Sequence, residues 1–240
     1  MYGVLGLATV ALLLVFVPWI LLCRTVGLPA HKAARMCIWA YGRACAVGAR
    51  PAVAVRVNDP AALCGIPPAI VVANHQSFFD TYLLGAQDKG DVGMLIKSWP
   101  FRKLFFFRPL MRMAGYIETG TGSPGDILAQ CREDLASGGH LMGFPEGTRS
   151  EGGELGRFYS GLFMLAMETG AKVVPMVIHD SFRVLPKGSR LFRPGTVHVD
   201  FLEPVDPARF ANEQIPHGAL RRHVRALMAE CMEKRKNGDA

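Results

Sequence analysis

Apolar residues follow two kinds of pattern along this chain. From Met1 to Cys23 no side chain carries a charge. The stretch "GVLGLATVALLLVFVPWILLC" is long enough to cross a hydrocarbon layer of about 30 Å as a helix rising about 1.5 Å per residue. Pro18 lies near its far end, where a kink is tolerated. A cleaved signal peptide would need a basic leader, a shorter apolar stretch and a small-residue cleavage site, and none of these is clear. Beyond Cys23 the apolar positions come in short runs and periodic stripes. "AVAVRVN" alternates weakly, and "AIVVAN" at 69–74, short and preceded by Pro67 and Pro68, reads as a buried strand. "VGMLIK" at 92–97, "HLMGF" at 140–144, "KVVPMVI" at 172–178 and "GTVHVDFLEPV" at 195–205 predict four more strands. Pro175, inside the fifth, hints at an edge strand or a bulge.

Helical stripes alternate with these strands. Ser123 and Pro124 suit the cap and first residue of a helix whose Ile127, Leu128, Cys131 and Leu135 repeat on one face until Gly138 and Gly139 stop it. Residues 159–169 read as a helix ended by Gly170, and residues 218–238 as a closing helix with a basic outer face. The stretch at 30–50 predicts a helix that either lies on a membrane or packs on the globular part. This alternation implies an α/β fold, a mixed, mostly parallel sheet flanked by helices, with an N-terminal membrane helix. We expect a membrane helix at 1–23, a basic membrane-proximal segment at 24–58 and one globular domain at 59–240.

Charge refines the setting. The formal net charge is +7, which suits an anionic membrane surface or phosphorylated substrates; nucleic acid would fit the charge alone, but the membrane segment makes lipid the expected partner. Between Arg24 and Asn58 the basic residues are Arg24, Lys32, Arg35, Arg43, Arg50 and Arg56 with no Asp or Glu, which keeps that side cytoplasmic by the positive-inside rule. The six cysteines show no C-x-x-C spacing and no histidine pairing that resembles a zinc site, so they read as reduced packing residues. No cofactor or metal is expected.

Two polar clusters follow predicted strands. In "VVANHQSFFD", residues 71–80, a buried strand ends abruptly in Asn74 and His75, with Asp80 five residues after the histidine. The carboxyl edge of an open α/β sheet is where ligands usually bind. One turn of chain would fold the Asp80 carboxylate onto one imidazole nitrogen, fixing the tautomer and leaving the other nitrogen free to take a proton from a hydroxyl. Ser77 reads as a capping serine rather than a nucleophile. "GFPEGTRS", residues 143–150, directly follows another strand. Glu146, Gly147, Thr148 and Arg149 there could bring backbone N–H groups, a hydroxyl and a guanidinium onto a phosphate, with Glu146 holding Arg149 or a substrate hydroxyl; an exposed surface turn is the plainer reading.

At these residues the chain resembles the 1-acylglycerol-3-phosphate acyltransferases of the glycerolipid acyltransferase group. "NHQSFFD" is similar to that family's N-H-x-x-x-x-D block, "FPEGTRS" to its F-P-E-G-T-R-S block, and "VVPMVI" and residues 185–205 to its later segments, so the similarity spans residues 69–206. The resemblance implies His75 as general base, Asp80 as its orienting carboxylate, and Glu146, Gly147, Thr148 and Arg149 as the holders of the acceptor's phosphate and glycerol. It implies direct attack of a lysophospholipid hydroxyl on acyl-CoA or acyl carrier protein, without an acyl-enzyme. One block departs: the family's G-x-I-F-I-D-R stands here as "GYIETGT", 115–121, with Thr121 in place of arginine. Lys97, Arg102, Lys103 and Arg108 are candidate substitutes, Lys97 first.

The expectation is therefore a membrane-anchored O-acyltransferase giving phosphatidic acid on the cytoplasmic face. The alternatives are a different lysolipid acceptor, such as lyso-ornithine lipid, or a non-catalytic lipid-binding protein on the same fold. The G-x-G-x-x-G at 120–125 is explained better by helix capping than by a dinucleotide site. "WPFRKLFFFRPLMRMAGY", 99–116, reads as a membrane-dipping or acyl-chain-binding helix, or as a plain core helix.

Overall fold

A computed structural model describes residues 14–238 apart from 17, 51, 89, 105, 106 and 190. In chain order the elements are α1 (Ala30–Gly48), β1 (Val53–Asn58), β2 (Ile70–Ala73), a 3-10 helix (Phe78–Ala86), β3 (Val92–Lys97), α2 (Ser98–Lys103) and α3 (Arg108–Met113). They continue with β4 (Ile117–Thr119), α4 (Pro124–Ala136), β5 (His140–Gly143), α5 (Gly161–Thr169), β6 (Val173–His179), α6 (Ser181–Val184), β7 (Gly195–Phe201), a 3-10 turn (Pro207–Phe210) and α7 (Pro216–Lys236). The strands form one sheet in the order β1-β7-β6-β2-β5-β3-β4. Its pairings are parallel except for β6 with β7, so β7 and β1 run against the other five. The mixed, mostly parallel sheet flanked by helices is therefore present.

β2 lies in the middle and is fully buried on both faces, which is why it reads as an unbroken apolar run rather than an alternating one. Val71 and Ala73 face a core with Phe79, Leu83, Met94 and Met176. Ile70 and Val72 face a second core with Phe163, Leu165, Leu220, Val224 and Met228 from α5 and α7. Each such side chain contributes about 1.5–3 kcal/mol on leaving water.

Several expectations change. β6 is an interior strand, buried at all seven positions, so Pro175 does not mark an edge. It sits at an irregularity instead. Val173 bridges Val205 and Met176 pairs with Phe201, which leaves two residues on β6 facing three, 202–204, on the segment that continues β7; Leu202 donates its N–H to the Pro175 carbonyl at 2.9 Å. That is the bulge a proline missing its N–H can occupy. The single helix expected over 99–116 is two short ones, α2 and α3, separated by a turn.

The segment 24–58 is also more than a membrane-proximal arm. β1 pairs with β7 as a strand of the sheet, and α1 crosses the 3-10 helix so closely that a Cβ on Gly42 would stand 2.8 Å from the Tyr82 carbonyl. Arg35 is buried, paired with Asp134 at 2.7 Å and Asp91 at 3.1 Å, and donates to the Ala114 carbonyl. Lys32 also reaches Asp91. Those two cations lock α1 onto the globular part and are spent there rather than on lipid head groups.

The membrane helix expected at 1–23 lies largely outside the described residues. Residues 14–16 and 18–25 are helical; Phe16, Trp19 and Ile20 pack toward Ala34, Ile38 and Leu110, while Leu14, Val15, Leu21 and Leu22 are exposed. Among the described residues no helix is long and apolar enough to cross a membrane.

Candidate active site

Both polar clusters leave the carboxyl edge of adjacent strands. β2 and β5 pair in parallel with Val72 opposite Gly143. Past the end of β2 the buried Asn74 continues the ladder with its side chain: it donates to the Ile178 carbonyl at 2.9 Å and accepts from the Ile178 N–H at 2.7 Å. This double bond to β6 fixes where the next residue emerges. His75 follows, with its side chain 18% exposed, enough for one ring edge to meet a ligand.

The turn between His75 and Asp80 is built by a capping box. Ser77 caps the 3-10 helix, accepting from the Phe79 N–H and donating to the Leu185 carbonyl at 2.7 Å. It is wholly buried and already bonded twice, consistent with a capping role and not a nucleophilic one. The Asp80 carboxylate turns back under the helix start. Its Oδ2 accepts from the N–H of Gln76, the N–H of Ser77 and the His75 ring nitrogen Nδ1, each at 2.8 Å. With no solvent exposure of its own and three donors converging on one oxygen, Asp80 acts as a fixed anion that assigns the proton to Nδ1 and leaves Nε2 as acceptor. Phe144 stacks on the other side of the imidazole, centroids 4.1 Å apart, and completes its clamp.

Glu146 stands elsewhere than its motif suggests. Its carboxylate is buried and accepts from the backbone N–H of His75 at 2.9 Å and of Gly156 at 3.0 Å. Burial pushes its pKa up, partly opposed by those two hydrogen bonds. Of the two partners expected for Glu146, Arg149 or a substrate hydroxyl, no ion pair to Arg149 is seen among the described residues, and the carboxylate instead ties two loops together. Gly156 approaches so closely that a Cβ would lie 2.7 Å from Glu146 Oε2. Gly147 takes the left-handed region at φ 66° with the Tyr159 ring 3.3 Å from its missing Cβ, so this turn needs glycine twice over. Ser150 closes the loop by donating its N–H to the His75 carbonyl.

Around this pair opens a cavity of about 1100 Å³. Its rim carries His75, Lys97, Thr148, Arg149 and Lys187, and its interior is apolar, built from α1, α2, α3, α4 and α5 with residues such as Ile38, Trp99, Leu104, Met111, Leu128 and Leu162. The sequence-derived site residues are thus brought together, with Lys97 Nζ 3.8 Å from the position a Cβ of Gly147 would take. Of the four candidate substitutes for the missing arginine, Lys97 borders the cavity and Arg102, Lys103 and Arg108 do not. Thr121 is outside it, whereas Thr119 lines it.

Several contributors have roles that the motifs do not spell out. Asn74, Phe144 and Tyr159 act through packing or backbone bonds, and Gln76 donates to the Gly153 carbonyl at 3.0 Å. Asn74 is marked in the sequence by its place at the end of a buried strand, but its pairing with Ile178 is not. His179, Asp200 and Cys231 lie together where β6, β7 and α7 meet, but Asp200 already binds His179 at 2.9 Å and Arg235 at 3.2 Å, a clamp between those three elements.

A family model described as Acyltransferase matches residues 54–179, just over half the chain. The chloroplastic 1-acyl-sn-glycerol-3-phosphate acyltransferase of Arabidopsis thaliana is 36% identical over 148 residues, 58% of this chain and 39% of that protein. A lyso-ornithine lipid O-acyltransferase of Pseudomonas aeruginosa is 32% identical over 197 residues, 71% of this chain and 70% of that one. The crystal structure of the 1-acyl-sn-glycerophosphate acyltransferase PlsC from Thermotoga maritima superposes with a TM-score of 0.72 at 27% identity, over 96% of this chain and 95% of that one. The chain spans about two fifths of the length of the plant chloroplast relatives it matches. With the sheet, the two motifs and these similarities in agreement, the chain belongs to the acyltransferase family.

Proposed function

We propose that this chain transfers a fatty acyl group from a thioester donor, acyl-CoA or acyl carrier protein, to the free hydroxyl of a lysophospholipid, with 1-acylglycerol 3-phosphate the leading acceptor. The observation that carries the proposal is His75, held by a buried carboxylate at 2.8 Å while bordering an apolar cavity with a cationic rim. In this reading the apolar interior receives acyl chain, and Lys97, Arg149 and the Gly147–Thr148 turn receive the acceptor's phosphate and glycerol. His75 Nε2 takes the hydroxyl proton as that oxygen attacks the thioester carbon. The C–S bond then breaks, and the proton passes from the imidazolium to the leaving thiolate, giving an ester and a free thiol. Charge on the tetrahedral oxyanion is stabilised by cations and backbone N–H groups at the rim. Asp80 holds the imidazole in register and Glu146 holds the two loops together.

The reaction takes place at a membrane surface, in keeping with the exposed Leu14, Val15, Leu21, Leu22 and Val26, with the active domain on the cytoplasmic side. The test is thiol release from acyl-CoA by the full-length protein in lipid vesicles, with and without lysophosphatidic acid. His75→Ala should lose about 10²- to 10⁴-fold in turnover while keeping its fold and its lipid association; turnover that survives the change, or release of thiol independent of acceptor, overturns the proposal.

A second reading has its own support. Thr121 replaces the family arginine, and a lyso-ornithine lipid O-acyltransferase matches across seven tenths of the chain. The same assay over an acceptor panel separates the two readings: a preference for unphosphorylated lysolipid favours the second.

A further inference from the structure

A second recess, of about 360 Å³, lies on the other side of the loop that walls the main cavity. Residues 155–158 form one side of it and α7 the other, and its lining includes four arginines: Arg157, Arg221, Arg222 and Arg225. Tyr159 and Gly161, a few residues along the same loop, face the acyl cavity. The recess is therefore one strand of chain away from the proposed chemistry.

Helix stability does not explain these cations. Arg221, Arg222 and Arg225 lie in the N-terminal half of α7, away from the carbonyl end where positive charge is favoured. The cations of the last turn are both favourably placed and paired: Lys234 with Glu230, Lys236 with Glu233 and Arg235 with Asp200. Among the described residues no carboxylate pairs with any of the four recess arginines. Two of them instead shape the recess. Arg225 donates to the Leu155 and Gly156 carbonyls at 2.9 and 3.0 Å, and Arg221 donates to Ser160 Oγ at 2.8 Å. Arg157 and Arg222 are exposed. Four arginines thus line one small recess with no carboxylate among the described residues paired to them, and a multiply charged phosphate ester would supply the counter-charge and suit the fork geometry of a guanidinium.

We propose that this recess binds the phosphates of a polyphosphorylated small ligand of the coenzyme A type, so that the donor's nucleotide end is anchored behind the loop while its thioester reaches His75. This rests on the acyltransferase reading for the ligand's identity, though the basic recess stands without it. A short chain of bonds links the two places: Arg225 holds the Gly156 carbonyl, the Gly156 N–H meets Glu146, and Glu146 holds the His75 N–H. An anion in the recess thus bears on the loop that frames the base.

The test uses adenosine 3′,5′-bisphosphate, the phosphorylated end of such a donor, titrated calorimetrically into the full-length protein. The double variant Arg157→Ala/Arg222→Ala alters the two arginines for which no loop bond is seen, so folding should persist, as checked by thermal melting. Binding should weaken about tenfold, the loss of two solvent-screened charge-assisted hydrogen bonds. The KM for acyl-CoA should rise with kcat and the acceptor KM little changed. Absence of bisphosphate binding by the wild type, or equal binding by the variant, overturns the proposal. So does a variant that loses only its sedimentation with phosphatidylglycerol vesicles, because the recess would then be a lipid contact. Bisphosphate binding lost in the variant, in a protein that transfers no acyl group from any donor, would uphold the phosphate site and reject the acyltransferase reading.

Discussion

Replacing Asp80 by asparagine isolates one electrostatic contribution with little change in shape. Oδ2 accepts three hydrogen bonds at 2.8 Å, whereas Oδ1 is buried and finds no partner among the described residues. An asparagine can put its carbonyl oxygen where Oδ2 stands, keep all three donors, and turn its NH2 to the place of Oδ1. The imidazole then keeps its tautomer and its orientation, and the negative charge disappears. Once His75 has taken the acceptor proton, its positive charge sits about 4 Å from the carboxylate, an attraction of about 4 kcal/mol at an effective dielectric near 20. At 1.36 kcal/mol per decade this is about a 10³-fold loss in kcat. The buried NH2 without an acceptor costs a further ~1–3 kcal/mol of folding stability. Steady-state thiol release with saturating acceptor gives kcat, and a melting curve confirms the fold. A folded Asp80→Asn protein that keeps more than about a tenth of wild-type kcat would refute the reasoning, because the charge would then contribute less than one decade.

Three other outcomes are expected. Glu146→Ala leaves two backbone N–H donors without an acceptor, at about 1–3 kcal/mol each, offset in part by removing a carboxylate whose burial is unfavourable; kcat should fall with the acceptor KM little changed, and a KM effect alone would return Glu146 to direct substrate contact. Burial pushes the thiols of Cys37, Cys45 and Cys231 up to about 11 and that of Cys131 up to about 12, while Cys64 is exposed; a maleimide at neutral pH should modify Cys64 rapidly and these four slowly, as read by peptide mass. Burial works against the Asp200 carboxylate, but the His179 hydrogen bond and Arg235 outweigh it and hold its pKa below the ordinary range. Its stabilising effect is therefore present above that range and lost as pH falls through the depressed value, so the melting temperatures of wild type and Asp200→Asn should converge in acid, and a gap constant with pH would contradict the clamp.

Most strands were legible as short apolar runs or alternating stretches between turn residues, and "VGMLIK" coincides with β3 residue for residue, whereas the three-residue β4 is too short and polar to stand out. The helix at 124–136 was equally legible: Ser123 caps it by accepting from Asp126 N–H, as its side chain type suggests. Strand order is another matter. It is decided by which faces fit together after collapse, so Pro175 leaves an edge strand and a bulge both open, and only the structure, with β6 between β2 and β7, chooses the bulge. The His75–Asp80 pair could be foreseen because a single turn of chain supplies it. The partners of Glu146 could not, since the backbone N–H of His75 and Gly156 have no letter in the sequence. The same holds for the arginine recess, where residues more than sixty positions apart meet only after α7 packs beside the 155–158 loop.

The pairing of Val72 with Gly143 has a consequence for how this molecule tolerates change. His75 and Glu146 each stand three places past that pair, so the hydrogen bond between them is aligned by two neighbouring strands like teeth on one comb. Lengthening the excursion near 187–194 leaves the comb untouched. One residue inserted into either strand turns every later side chain to the opposite face and pulls the two halves of the centre out of step, though each motif would still read correctly.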